Sequence, residues 1–523
     1  MRRALQGMGL SALLVTSVLS ADAVAEEPGE TSAQQGQEAD TSNNTEEPKQ
    51  AAQPPPVLEA GVKIPLAPAA PAPGGPPKVG DLSVSGYFRG GIGGIIQQTS
   101  GDTKVGGRMT CFSLANPAGL VAKYRLGNEC EVWSETHFTF VTYSGDDGVV
   151  SRLHFMPTIF IPTTNIGYSP NGTVNSPSIF TTSTGATVSF PNLYVDLSGI
   201  PWLGGGTAWA GTRYYKRESV YINDFFYWNP SGVGTGVEDI HVGNDLRISA
   251  ALFAVDGQPQ MSSSPTDPLL PSQLDFGVRG DLQVRGIKLW PGGEIQVGMQ
   301  YILDYSNHPK LDSNGDPMKD SNGNVETVTH SGFGFTLQVV QQLLGGDNRL
   351  AVQYGKGGGT GFGTLSRFYY PDFSLYFDPS EYRIRALDVA TIQPFDWLGA
   401  QADIIYQHDQ NFLGAPGYNT DWYSAGARVG VTPIAHFKLL GEVGYDRIQK
   451  SNGSMPQELT KITIAPALTA GKGLMSRPEL RAFFTYAYWN ETARGAGIDS
   501  GNVYRSTNFL RGMTAGLQAE SWF

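Results

Sequence analysis

The sequence predicts an all-β fold, a transmembrane antiparallel β-barrel, on three observations. Apolar and polar residues alternate in short segments from Asp81 to the terminal Phe523. There are 66 glycines for tight turns, 11% aromatics and only 16% charged residues. No stretch beyond the N-terminus approaches the roughly 18 consecutive apolar residues of a membrane helix. A closed barrel is the other way to satisfy every backbone polar group in lipid.

Residues 1–25 have the layout of a secretory signal peptide. Arg2 and Arg3 make a cationic start, Leu10 to Leu19 an apolar core, and Ala23, Val24 and Ala25 a small-residue cleavage site. Residues 26–80 pass from an acidic, polar stretch to a Pro/Ala-rich one that contains Pro54, Pro55 and Pro56. With few large apolar side chains this extension cannot bury a core, and it is expected to be extended or disordered. It reads as a periplasmic spacer; the alternative is an arm that contacts the cell wall or a partner.

Residues 81–523 form the expected barrel domain. Ser83, Ser85, Tyr87 and Arg89 share one strand face, while Leu82, Val84, Phe88 and Ile92 share the other. After Cys130, Glu131, Trp133, Glu135 and His137 oppose Val132, Thr136, Phe138 and Phe140. Further strands are expected at 207–215, 246–254, 293–301, 331–339, 350–354, 384–392, 399–406, 422–431, 437–445, 459–467 and 480–489. Roughly 24 residues per strand and loop gives about 16 to 18 strands.

The final strand has the clearest phase. Met513, Ala515, Leu517, Ala519 and Phe523 lie on one face, with Ser521 the one hydroxyl among them. Thr514, Gly516, Gln518, Glu520 and Trp522 lie on the other. If the apolar face meets lipid, Glu520 and Trp522 point into a water-filled lumen, and Phe523 joins the interfacial aromatic girdle.

A net charge of −12 argues against a nucleic-acid partner. The two cysteines, Cys111 and Cys130, form a close pair in an exported chain, most simply a disulfide; the alternative is two free thiols.

Several stretches resemble the maltoporin family of sugar-specific outer-membrane channels. They include Ser85-Gly-Tyr-Phe-Arg-Gly-Gly-Ile-Gly93, Lys123-Tyr-Arg-Leu-Gly-Asn-Glu-Cys-Glu131, Trp209-Ala-Gly-Thr-Arg-Tyr-Tyr-Lys-Arg217 and Asn223-Asp-Phe-Phe-Tyr-Trp228. Gly444-Tyr-Asp446, Lys461-Ile-Thr-Ile464, Ser476-Arg-Pro478 and Phe484-Thr-Tyr-Ala-Tyr-Trp489 continue the match in the same order. Some sucrose-porin relatives also carry an N-terminal extension, although theirs look like coiled coils.

The resemblance implies an 18-stranded barrel, a homotrimer in the bacterial outer membrane, and a third loop folded into the pore. It also implies an aromatic path for mono- or oligosaccharides, matched by Tyr87, Trp133, Phe335 and Trp522. The accompanying polar track matches Arg89, Arg125, Glu135, Arg217 and Asp224. Cys111 and Cys130 match the cysteine pair of the first loop. In this family a neighbouring subunit lends an aromatic to the vestibule, and the corresponding loop, residues 156–185, offers Phe160, Tyr168 and Phe180. Strand phase agrees for Tyr87, Arg89, Trp133, Glu135 and Trp522. It disagrees for Phe335, which shares a face with Phe333, Leu337 and Val339.

The departures bear on specificity. Met475 stands where the family has a path tryptophan, and Pro191 where it has a track arginine. At the constriction, Phe226 replaces a tyrosine and Asn229 an aspartate. The expected function is facilitated diffusion of sugars; a general diffusion porin is the alternative.

Other motifs are weak. Asp312 to Asp316 and Asp320 to Asn324 resemble calcium loops but lack the glycine and the final acid. The glycine run 355–363 lacks the Lys-Ser/Thr of a phosphate loop. The seven histidines show no metal-ligand spacing, and no nucleophile–base set is readable. Neither a metal, a cofactor nor enzymatic catalysis is expected.

Overall fold

Alternating strands close on themselves into an antiparallel barrel. Its wall is a twenty-stranded sheet of eighteen long strands and two short additions, Thr103–Arg108 and Phe180–Thr181. Leu82–Ser100 pairs with Glu131–Ser144 on one side and with Arg511–Trp522 on the other, so first and last strands seal the wall. The computed structural model describes residues 77–114, 123–162, 180–181, 186–256, 276–304, 308–309, 318–328, 331–361, 380–411, 417–500 and 502–523. The expected signal segment, and residues 26–76 of the expected extension, lie outside the described residues.

The phase of the closing strand follows from burial. Leu517 and Phe523 are exposed on the outer face, whereas Thr514, Gln518 and Glu520 are buried on the inner one. The same alternation sets Leu82, Val84 and Ile92 outward and Tyr87 inward. Outer side chains thus form an apolar band, and polar ones line the lumen, as a lipid-embedded barrel requires.

Four strands have no counterpart among those expected from alternation: Val150–Pro162, Thr187–Ile200, Gly232–Val242 and Phe276–Trp290. Pro157 and Pro191 interrupt the first two, and glycines at 232, 234 and 236 thin the third. Register shifts break the pairing of all four, for example between Met156 and Thr158 and between Val284 and Ile287.

Two loops fold into the lumen from the long-loop end. One joins Gly206–Arg213 to Gly232–Val242 and forms a small hairpin, Glu218–Val220 with Phe225–Trp228, across the turn Tyr221–Asn223. Tyr227 donates to Gln338 at 2.6 Å, and Gln401 accepts from the Ile222 N–H at 3.1 Å, so the hairpin reaches the far wall. The other joins the first strand to Glu131–Ser144. It lies against the hairpin through Lys123 N–H to Asn223 O (2.8 Å) and Arg125 N–H to Ile222 O (2.9 Å). A disulfide between Cys111 and Cys130 closes it, with Cα atoms 5.9 Å apart.

Candidate functional site

Register builds the site. Tyr87 pairs with Trp522 on one neighbouring strand and with Glu135 on the other; Arg89 pairs likewise with Glu520 and Trp133. Six inward side chains therefore form a grid on three strands, with Trp522, Tyr87 and Glu135 in one row and Glu520, Arg89 and Trp133 in the next. From strand and residue spacing, the two tryptophans stand about 12 Å apart at opposite corners.

Glu520, 1% exposed, is the hub. Tyr87 and Tyr221 donate to it, each at 2.8 Å. Arg125 reaches it at 3.1 Å, Arg477 at 2.8 Å and Arg481 at 3.2 Å. Arg125 also donates to the Tyr87 hydroxyl at 2.5 Å, and Arg477 to that of Tyr221 at 2.6 Å. The Arg477 guanidinium lies 4.7 Å from the Trp522 ring centroid. Tyr87 stacks beside that indole at 6.5 Å, and Tyr221 meets it edge-on at 6.5 Å.

A second set of charges lies next to it. Arg89 contacts Glu131 at 2.6 Å, Asp224 at 3.2 Å and Glu129 at 3.4 Å, while Lys123 contacts Glu129 and Glu131. Asp224 adopts a left-handed conformation (φ 56°) that turns the hairpin back, a role a short acidic side chain tolerates. Burial would push the Glu129 carboxyl up, but Arg125, Arg89 and Lys123 outweigh it and hold it well below the usual carboxylate range. For Tyr221 burial wins and its hydroxyl is pushed up.

The expected path residues are placed unequally. Trp522 and Trp133 are half-buried on the lumen side; Trp133 donates to Glu135 at 2.9 Å and meets Phe160 edge-on at 6.0 Å. Tyr87 faces inward but is only 2% exposed, beneath the two loops. Phe335 is a correction to the expected path. It is 38% exposed on the outer face with Phe333 and Leu337, whereas its neighbour Thr336 is buried inside. Strand alternation rules it out of the lumen. It lines an apolar groove of about 930 Å³ on the lipid side, with Leu252, Leu282, Met299 and Tyr301.

Arg89, Arg125, Glu135 and Asp224 all reach the lumen side around the grid. The Arg217 guanidinium lies 3.5 Å from the Tyr214 ring centroid and 4.8 Å from that of Phe226. Phe226 is half-buried on the hairpin, and Asn229 accepts from Ser231 at its base. Met475 packs against both apolar clusters beneath the loops. Tyr168 and the Phe180 side chain lie outside the described residues, as does the segment 312–316. Asp320 accepts from the Asn322 and Asn324 N–H groups at 2.8 and 2.9 Å, closing its own turn. Gly357–Gly361 is a 3-10 turn; residues 362–363 lie outside the described residues.

Sequence reasoning missed Tyr221, Arg477, Arg481 and Glu129 as partners. Tyr221 and Glu520 are 299 residues apart, and nothing in strand phase brings a loop tyrosine to a wall carboxylate.

A closed barrel with loops folded into a polar lumen defines a porin. The chain belongs to the LamB porin family, whose model matches residues 82–523. Fold and family are those of an outer-membrane channel. Solved structures with some similarity include OccK2 (OpdF) of Pseudomonas aeruginosa, at 9% identity and TM-score 0.43, covering 85% of this chain and 98% of that one. OccAB1 of Acinetobacter baumannii is 12% identical with TM-score 0.42, at 85% and 97% coverage. The trimer form of OmpT from Vibrio cholerae is 8% identical with TM-score 0.36, at 85% and 100% coverage. Similarity this low carries no property of those proteins to this chain.

Proposed function

We propose that this porin conducts neutral sugars across the bacterial outer membrane by facilitated diffusion. The observation that supports it is the grid: two half-buried indoles with arginines and carboxylates between them. A pyranose ring has an apolar C–H face and a rim of hydroxyls. An indole covers the first, while Arg89, Asp224 and Glu135 exchange hydrogen bonds with the second. The neighbouring charges are paired, which favours an uncharged solute over an ionic one. Burying about 50 Å² of ring face at roughly 25 cal/mol/Å² gives on the order of 1 kcal/mol. Such weak binding suits conduction, because a solute must leave each site it enters.

A general diffusion porin is the second reading. It is favoured by Phe335 facing lipid, by the burial of Tyr87 and by Met475 in place of an aromatic. Planar-bilayer conductance with a panel of sugars decides between them. Concentration-dependent current block by linear oligosaccharides supports the sugar channel, and open pores indifferent to every sugar leave the general porin. The proposal includes a homotrimer, seen as an unheated gel band that collapses on boiling, and residues 26–80 extending into the periplasm, in reach of the cell wall.

A further inference from the structure

One inward position beyond the grid, about halfway along the lumen wall, two histidines converge. His137 lies on Glu131–Ser144 and His154 on Val150–Pro162, adjacent strands, and both side chains face inward and are buried. His137 Nε2 and His154 Nδ1 are 3.2 Å apart, and the Thr139 hydroxyl is 3.2 Å from the same Nδ1. We propose that this pair is a binding site for a divalent transition ion such as Zn2+ or Cu2+.

Three features carry the assignment. First, two nitrogens bound to one tetrahedral ion at 2.0–2.1 Å stand about 3.3 Å apart, close to the separation present here. Second, His154 is already held as a ligand. Its Nε2 lies 2.8 Å from Asp196 Oδ2, and its ring stacks on Tyr194 at 4.2 Å with the planes 5° apart. Asp196 accepts a hydrogen bond from the Nε2–H, so the Nδ1 lone pair points toward His137. A carboxylate behind a ligating imidazole is the usual outer partner at metal sites. Third, His137 Nδ1 is buried without a hydrogen-bond partner. With His154 Nδ1 as the acceptor, the His137 Nε2–H donates to it; an ion would take that proton's place, and the orphaned Nδ1 would receive the proton.

The surrounding charges do not forbid a dication. Arg152 pairs with Asp196 at 3.5 Å, and Arg213 with Glu238 at 2.8 Å. Among the described residues no three His, Cys, Asp or Glu side chains converge on one point. The ligands are therefore two imidazoles, completed by the Thr139 hydroxyl and water. That is an open, exchangeable site, and imidazole donors select Zn2+ or Cu2+ over Ca2+ and Mg2+. Arg152 and Asp196, beside His154, are both partly exposed.

The test uses the full chain in detergent, titrated with Zn2+ by calorimetry, with Ca2+ as a control. One Zn2+ per subunit is expected, with no Ca2+ response. His137→Ala should abolish binding and Asp196→Asn weaken it roughly 10- to 100-fold. His137→Cys keeps a ligand, so it should retain Zn2+ and gain Cd2+ affinity; this covers the case in which His137→Ala fails to fold. His408→Gln, on the outer face beside Asp421, should change nothing. Cu2+ bound to the wild type should show two nitrogen ligands by electron paramagnetic resonance. Wild type that binds no Zn2+ at millimolar concentration overturns the assignment. So does Zn2+ binding that survives His137→Ala or disappears in His408→Gln. Sugar block plays no part in these measurements, so the outcome is independent of the proposed transport function.

Discussion

Gly444 has no side chain where Tyr124 lies. A Cβ on Gly444 would stand 1.9 Å from Tyr124 Cδ2, and one on Gly426, on the adjacent strand, 2.0 Å from Cε1. The tyrosine of the first in-folded loop thus sits in a slot of the wall, its hydroxyl 3.1 Å from Asp403 and 2.9 Å from Ser424.

Filling the slot should dislodge the loop. Gly444→Val is expected to leave the barrel inserted, at an overpacking cost of roughly 1–3 kcal/mol, and to raise single-channel conductance. Unchanged conductance in an inserted protein would show that the loop does not narrow the pore.

Trp522 and Phe523 should separate function from assembly. The Phe523 backbone exchanges hydrogen bonds with Gly86 at 2.8 and 3.1 Å, and its ring covers the same glycine. Phe523→Ala is expected to reduce membrane insertion while leaving sugar block intact in the molecules that assemble. Trp522→Ala should insert normally and weaken block about five- to tenfold, the loss of on the order of 1 kcal/mol. The reverse pattern would sink the sugar-path assignment of Trp522.

Acid should release the first loop. Glu129 is held below its ordinary range in the folded protein, so its contribution is fully present above the unfolded carboxylate value of about 4.3 and is lost progressively as pH falls from there through the lower folded value. Conductance is expected to become progressively larger and noisier as pH falls from about 4 toward that lower value. Glu129→Gln should show this behaviour at neutral pH and lose the acid step. A variant indistinguishable from wild type at both pH values removes Glu129 as the latch.

The disulfide should matter to the loop and not to the wall. Alkylation of non-reduced, denatured protein is expected to label neither Cys111 nor Cys130. Replacing both with serine should preserve the barrel but speed proteolysis within residues 101–130, since a closed loop of this size restricts the unfolded chain by an amount on the order of 3 kcal/mol. Equal proteolysis rates would argue that the hydrogen bonds to the hairpin suffice.

What could be read from the sequence was whatever has a period of two. Alternation alone orients Tyr87, Arg89, Trp133, Glu135, Glu520 and Trp522, and it correctly opposed the placement of Phe335 in the lumen. Prolines and register shifts hid Val150–Pro162 and Thr187–Ile200, and the histidine pair was hidden with them. His137 and His154 are 17 residues apart, a spacing that means nothing until the two strands are known to be adjacent. The hub around Glu520 was illegible for another reason. Its partners Tyr221, Arg125 and Arg477 come from loops and a turn, whose entry into the lumen is decided by tertiary contacts rather than local pattern.

The pairing of charges around the grid also governs what small ions experience. Arg89, Lys123, Arg125, Arg477 and Arg481 are matched by Glu129, Glu131, Asp224, Glu479 and Glu520, each cation within 4 Å of a carboxylate. Opposite charges this close form dipoles, whose field fades faster than that of an isolated ion, and salt in the pore shortens its reach further. A passing potassium or chloride ion therefore meets little net potential from this cluster, and these charges are expected to add little to a reversal potential under a salt gradient.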